Sequence, residues 1–251
     1  MIMSKIPIAL ELYSVRDQAA SDLFGVLKAV AKMGYAGVEF AGYHGHDAAS
    51  IRKVLDDTGL KCYGGHLGIH TLMGEELERT VEFQATLGNA FLIVPGLPHD
   101  FTDSKAAWLK TAHAMNEIAD RLKPHGMFTG YHNHHTEFHD MDGELPWDIF
   151  FGNTKKEVIM QFDTGNALIG GAEAAPFIKR YPGRARTVHL KEHSETNPEA
   201  PVGEGSVDWK EIFSLCETVG GTEVYVVEHE SGSDPMSSVE ICLKNLHAMG
   251  K

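Results

Sequence analysis

The chain has 251 residues, 43% of them hydrophobic and 23% charged, which supplies a large core and excludes a disordered chain. A formal net charge of −13 argues against nucleic acid as a partner, because a phosphate backbone is normally met by a basic patch. No apolar run approaches the roughly 20 residues that span a bilayer. The N-terminal MIMSKIPIALELYSVRD lacks a basic region followed by a long apolar stretch and a cleavage site, so no secretory signal is expected. Cys62, Cys216 and Cys242 are odd in number, have no CxxC spacing and lie in apolar runs, which reads as buried thiols in a cytoplasmic protein.

In chain order, apolar runs of strand length alternate with longer amphipathic stretches. The expected strands are IPIALELY (6–13), AGVEF (36–40), LKCYGGH (60–66), AFLIVPG (90–96), MFTGYHN (127–133), VIMQFD (158–163), ARTVHLK (185–191) and EVYVVEH (223–229). Helices are expected near 21–33, 47–58, 73–88, 103–124, 146–151, 172–180, 208–219 and 235–249. A glycine able to end the preceding helix stands before several strands, as in MGYAGVEF, LGNAFLIV and PHGMFTGY. Eight strand–helix pairs in about 250 residues predict an α/β fold, one (β/α)8 TIM barrel over residues 1–251.

In such a barrel the C-terminal ends of the strands converge on one mouth. Polar residues end many of these strands. Glu137, Asp163, His189 and Glu228 close or follow the runs of strands 5 to 8, and together they read as one metal site. Carboxylates and an imidazole suit Mn²⁺, Mg²⁺, Co²⁺ or Zn²⁺ and need no thiol. Each has a plainer reading: Asp163 as a helix cap in DTGN, His189 as a satisfied core histidine, Glu137 as a solvated loop residue. Glu228 ends VYVVE, where an unpaired buried carboxylate would be costly and a metal would remove the cost.

Lys191 stands two residues after His189 and so on the same face of its strand. It reads as a contact to a substrate oxyanion, with a salt bridge as the alternative. His132 and His134 share one side of strand 5, and one of them is expected to move a proton. His66, behind Gly64 and Gly65, and Glu204, in the GEG after strand 7, are the expected substrate contacts, against packing and turn-forming roles. Glu11 and Glu39 are expected to orient histidines rather than to react. Trp209 reads as packing the start of a helix.

The segments LELYSVRD (10–17), GYAGVEFAGYHGH (34–46), LGNAFLIVPG (87–96), GYHNHHTEF (130–138), FDTGN (162–166), VHLKEH (188–193) and VGEGSVDW (202–209) resemble the sugar phosphate isomerase/epimerase family of xylose isomerase-like barrels. The resemblance runs over essentially the whole chain. It implies a single divalent ion held by Glu, Asp, His and Glu from strands 5 to 8, three of which match Asp163, His189 and Glu228. The first ligand departs from the pattern: the family Glu falls near Tyr131, Glu137 follows six residues later, and His132 and His134 compete for the same place.

The resemblance implies a divalent-metal-dependent isomerase or epimerase, with Mn²⁺ the expected ion, that abstracts a proton beside a metal-bound carbonyl of a keto-sugar through an enediolate. A lyase or dehydratase acting on inosose or a 3-keto-glycoside uses the same site, and the histidine-rich YHNHHTEF segment favours it slightly, since elimination needs an acid as well as a base. Nuclease activity like that of endonuclease IV fits poorly with the acidic balance. A sugar-binding protein with a vestigial site is the non-enzymatic alternative. The expected partner is a small carbohydrate, without nucleic acid or membrane; a homo-oligomer is compatible with the sequence.

Overall fold

The computed structural model describes residues 5–251. Eight parallel strands, β1 Ile8–Glu11, β2 Gly37–Phe40, β3 Lys61–His66, β4 Phe91–Val94, β5 Phe128–His132, β6 Ile159–Asp163, β7 Thr187–Leu190 and β8 Val224–Val227, close into a barrel in chain order, with β8 returning to β1. Every strand lies within one of the eight expected segments. Around them run α1 Arg16–Met33, α2 Ala48–Thr58, α3 Glu76–Leu87, α4 Lys105–Leu122, α5 Pro146–Asn153, α6 Thr164–Ile169, α7 Ala174–Arg180, α8 Trp209–Leu215 and α9 Pro235–Ala248. The chain is thus a single TIM-barrel domain.

The glycines expected to end helices do so. Gly34 and Gly88 cap α1 and α3 with φ of 104° and 71°, a region that residues with a Cβ enter only at a cost. Two helices differ from expectation. The first begins at Arg16 and kinks at Asp22, whose carboxylate accepts the Gly25 N–H at 2.9 Å, so the expected start near 21 marks a cap inside a longer element. The short α6 was not expected at all; it starts directly from the end of β6, where Asp163 caps it.

Most of the core lies between strands and helices, and Val188 and Leu190 belong to that outer layer. Strand alternation therefore turns His189 inward. A smaller cluster of Ala9, Phe91, Ile93, Ile159, Val224 and Val226 fills the barrel itself. Further along the same strands the inward positions become polar, so the apolar plug is the floor beneath the polar mouth. The β2–β3 register shifts after Val38, which sets Glu39 opposite Gly64. A Cβ at Gly64 would collide with the Glu39 carboxylate, so glycine is what lets that carboxylate sit inside the barrel.

Candidate metal centre and its cavity

Strands β5 to β8 bring His132, Asp163, His189 and Glu228 together, all buried, with one donor atom of each within 4.8 Å of the others. The register places Asp163 beside His189. His189 lies between two carboxylates: its Nδ1 is 2.5 Å from Glu228 Oε2 and its Nε2 is 2.6 Å from Glu39 Oε2. The Lys191 ammonium donates to Glu228 Oε1 at 3.0 Å and also to Glu230.

These contacts set the charges. Burial disfavours the imidazolium of His189, but the Glu228 and Glu39 carboxylates outweigh it and hold that ring protonated, its pKa well above the ordinary value. Burial alone would raise Glu228, yet Lys191 and His189 keep it well below the carboxylate range. Burial pushes Asp163 up to about 7. His132 and His66 are held neutral, in each case chiefly by burial.

Gln161 assigns the histidine tautomers. Its amide NH₂ donates to both Glu39 oxygens (3.0 and 3.1 Å), which accept only, so its carbonyl must face His66 Nε2 (2.8 Å) and His132 Nδ1 (3.2 Å). Both ring atoms are then N–H donors, and His132 Nε2, 4.0 Å from Glu228 Oε2, carries its lone pair toward the donor group. His66 Nδ1 is likewise a free acceptor at the cavity, stacked ring on ring with His189 at 5.3 Å.

The donors fit a divalent cation. Asp163 Oδ1 accepts the Asn166 N–H at 2.6 Å, whereas its Oδ2 is buried without a hydrogen-bond partner. The helix-cap and ligand readings of Asp163 are thus compatible, one oxygen for each. The proton between His189 Nδ1 and Glu228 would leave on metal binding, and Glu39 on Nε2 would then orient the ring, as carboxylates do behind metal-ligating histidines.

Two expected residues lie elsewhere. Glu137 does not join the donor group: its carboxylate accepts the Tyr131 hydroxyl (2.8 Å), the His134 backbone N–H (2.7 Å) and the Thr136 hydroxyl (3.1 Å), and His132 stands with the other three donors instead. Glu204 is exposed and accepts from the Asn245 side chain at 3.0 Å. The organiser of that loop is Glu192, which accepts from the backbone of Gly203 and Val207 and from Trp209 Nε1. Trp209, as expected, packs at the start of its helix, stacked on Phe213.

A cavity of about 540 Å³ opens above the donors, lined by Tyr13, Ala41, Gly42, His66, Pro95, Gly96, His132, His134, Glu228 and Glu230. The expected pairing of His132 and His134 on one side holds, with ring centroids 5.3 Å apart. A cavity of about 620 Å³ lies at the opposite end, near Pro7 and Thr222, but there Glu217 already takes the Lys251 ammonium and the Tyr225 hydroxyl. The smaller cavity is the one that His132 and Glu228 of the donor group line.

The reading of the sequence missed Gln161 and Glu230. Gln161 stands two residues before Asp163, so strand alternation alone would have placed it on the inner face. The Gln161→Leu variant is expected to bind divalent ions about 10–100-fold more weakly while remaining folded, because the tautomer of His132 and the position of Glu39 both lose their anchor. Calorimetric titration checks this, and an unchanged affinity would remove Gln161 from the account.

The xylose isomerase-like TIM barrel family model matches residues 27–246, and the chain belongs to that family. It is similar to an inosose dehydratase of Lacticaseibacillus casei, 22% identical over 250 residues that cover 84% of this chain and 83% of the relative. Among solved structures, a sugar phosphate isomerase/epimerase from Parabacteroides distasonis superposes with a TM-score of 0.82 at 23% identity, covering 96% of this chain and 98% of that one. A D-allulose 3-epimerase from Methylomonas sp. superposes with a TM-score of 0.75 at 15% identity, covering 97% of each chain. Among the described residues no helix is long and apolar enough to cross a membrane. All three cysteines are free and buried.

Proposed function

We propose that this protein is a divalent-metal-dependent isomerase or epimerase of a keto-sugar or related polyol, active in the cytoplasm. The observation that carries the reading is the buried group of His132, Asp163, His189 and Glu228 at the floor of an open cavity in a xylose isomerase-like barrel. An ion held by these four would supply Lewis acidity to a carbonyl and a neighbouring hydroxyl, which acidifies the C–H between them. Manganese is the proposed ion; Mg²⁺, Co²⁺ and Zn²⁺ suit the same donors.

The chain's own residues do the rest. His66 Nδ1, fixed as an acceptor by Gln161, takes a substrate hydroxyl. His134, exposed beside His132 at the cavity wall, takes the proton from carbon and returns it. The Lys191 ammonium, steadied by Glu228 and Glu230, balances negative charge that develops on a substrate oxygen. Return of the proton by His134 to the adjacent carbon gives an isomer, and protonation of the opposite face by a second donor, water from the open cavity, gives an epimer.

A second reading, a lyase or dehydratase, draws support from the similarity to inosose dehydratases across 84% of the chain. There the same carbanion expels a β-substituent, and a histidine protonates the leaving oxygen. Incubation with keto-sugars, inosose and 3-keto-glucosides in D₂O, with and without Mn²⁺, tests both by NMR. Deuterium is expected at the carbon beside the carbonyl only with metal, and retention or loss of the β-substituent chooses between them. No exchange with any substrate despite bound metal would defeat the proton-transfer reading.

A further inference from the structure

A second cavity of about 310 Å³ adjoins the first, and Gly96 and His134 line both. Its other walls are mainly Leu97, Trp108, Tyr131, Glu137 and Met141. Two polar features there are unspent. The Trp108 indole N–H is buried, on a side chain only 3% exposed, and has no hydrogen-bond partner, although buried donors are nearly always satisfied. Glu137, also buried and lining this cavity, accepts twice on Oε1 but only once on Oε2, which leaves that oxygen a further acceptor position.

We propose that this second cavity is a subsite for a second sugar ring, so that the substrate is a glycoside whose reacting ring lies over the metal centre and whose other ring passes His134. The inference rests on the proposed function for the identity of the first ring. A sugar ring offers C–H faces to aromatic edges and hydroxyls to a donor and an acceptor, which is what Trp108, Tyr131 and Glu137 together present. It also gives Glu137 a role apart from the ion: holding the His134 backbone at the boundary between the rings. A free monosaccharide would leave the indole N–H unsatisfied.

The test does not need turnover. The chain has three tryptophans, Trp108, Trp147 and Trp209, hence three indole N–H resonances in ¹⁵N-labelled protein, and Trp108→Phe identifies the relevant one. In Mg²⁺-supplemented protein, maltose or cellobiose is expected to shift the Trp108 resonance and glucose is not. The Trp108→Phe variant, which keeps an aromatic ring, should bind the responding disaccharide about tenfold more weakly, the weight of one hydrogen bond, with glucose affinity unchanged. No shift with either disaccharide, or an equal shift with glucose, would overturn the subsite whatever the D₂O experiment gives. Failure of exchange alongside a disaccharide-specific shift would instead overturn the reaction and leave the subsite standing.

Discussion

Glu228→Gln is expected to lose stoichiometric metal binding and to lower turnover at least about a thousandfold, the scale set by removing both a charge-bearing ligand and the geometry it fixes. Glu228 is the busiest side chain of the centre: one oxygen faces His189 Nδ1 at 2.5 Å and the other accepts from Lys191 at 3.0 Å. Glutamine keeps the shape and removes the charge. His189, protonated in the ion-free protein because Glu228 and Glu39 flank it, then keeps one carboxylate only. Breaking a buried pair in this way costs about 3–5 kcal/mol, so the ion-free variant should also melt several degrees lower. Metal content by mass spectrometry, thermal melts and turnover check the three parts, and a variant that retains one ion per chain would remove Glu228 from the ligands.

Lys191→Met separates binding from chemistry. The methionine keeps the apolar stem and deletes the ammonium that reaches Glu228 and Glu230. Lys191 is not a metal ligand, so ion stoichiometry should stay at one per chain. Turnover should fall about 10²–10³-fold, the usual cost of removing one group that stabilises a developing oxyanion. The loss should lie in kcat more than in KM, since the charge matters most when the substrate oxygen turns negative. An equal loss of metal would reduce Lys191 to the salt bridge of its plainer reading.

The fold was legible because a parallel barrel repeats one alternation eight times, apolar runs of strand length with longer amphipathic stretches between them, several of the runs with a glycine before and many with a polar residue at the end. That Asp163, His189 and Glu228 meet at one end of the barrel could be read for the same reason, each ending a run whose inward face alternation defines. The difficulty at the first donor is geometric. Beyond His132 the strand is over, and the chain enters a short turn at Thr136–Phe138 that carries Glu137 back to the Tyr131 hydroxyl. Spacing along a sequence describes strands well and turns poorly, so His132 and Glu137 were rivals on paper and stand apart in space. Glu204 lay beyond reach likewise, because the shape of its loop is set by Glu192 through backbone contacts at a separation of more than ten residues.

Gln161 is a different kind of omission. An amide announces no charge and no metal affinity, yet this one decides which nitrogen of His132 is free. Such roles appear only when the acceptor-only character of Glu39 meets the two donors of one side chain in space. α6 escaped notice because it is short and is capped by a residue already assigned to a strand end, Asp163, which serves the helix with one oxygen and leaves the other without a protein partner.

The central claim is that His132, Asp163, His189 and Glu228 hold one divalent ion. The most direct measurement is Mn²⁺ titration of the metal-stripped protein by calorimetry, alongside His132→Gln, Asp163→Asn and Glu137→Gln. The account predicts one ion per chain in the native protein, affinity lost or greatly reduced in the first two variants, and affinity retained in Glu137→Gln. Binding that survives Asp163→Asn and disappears in Glu137→Gln, or no binding by folded native protein, would contradict it.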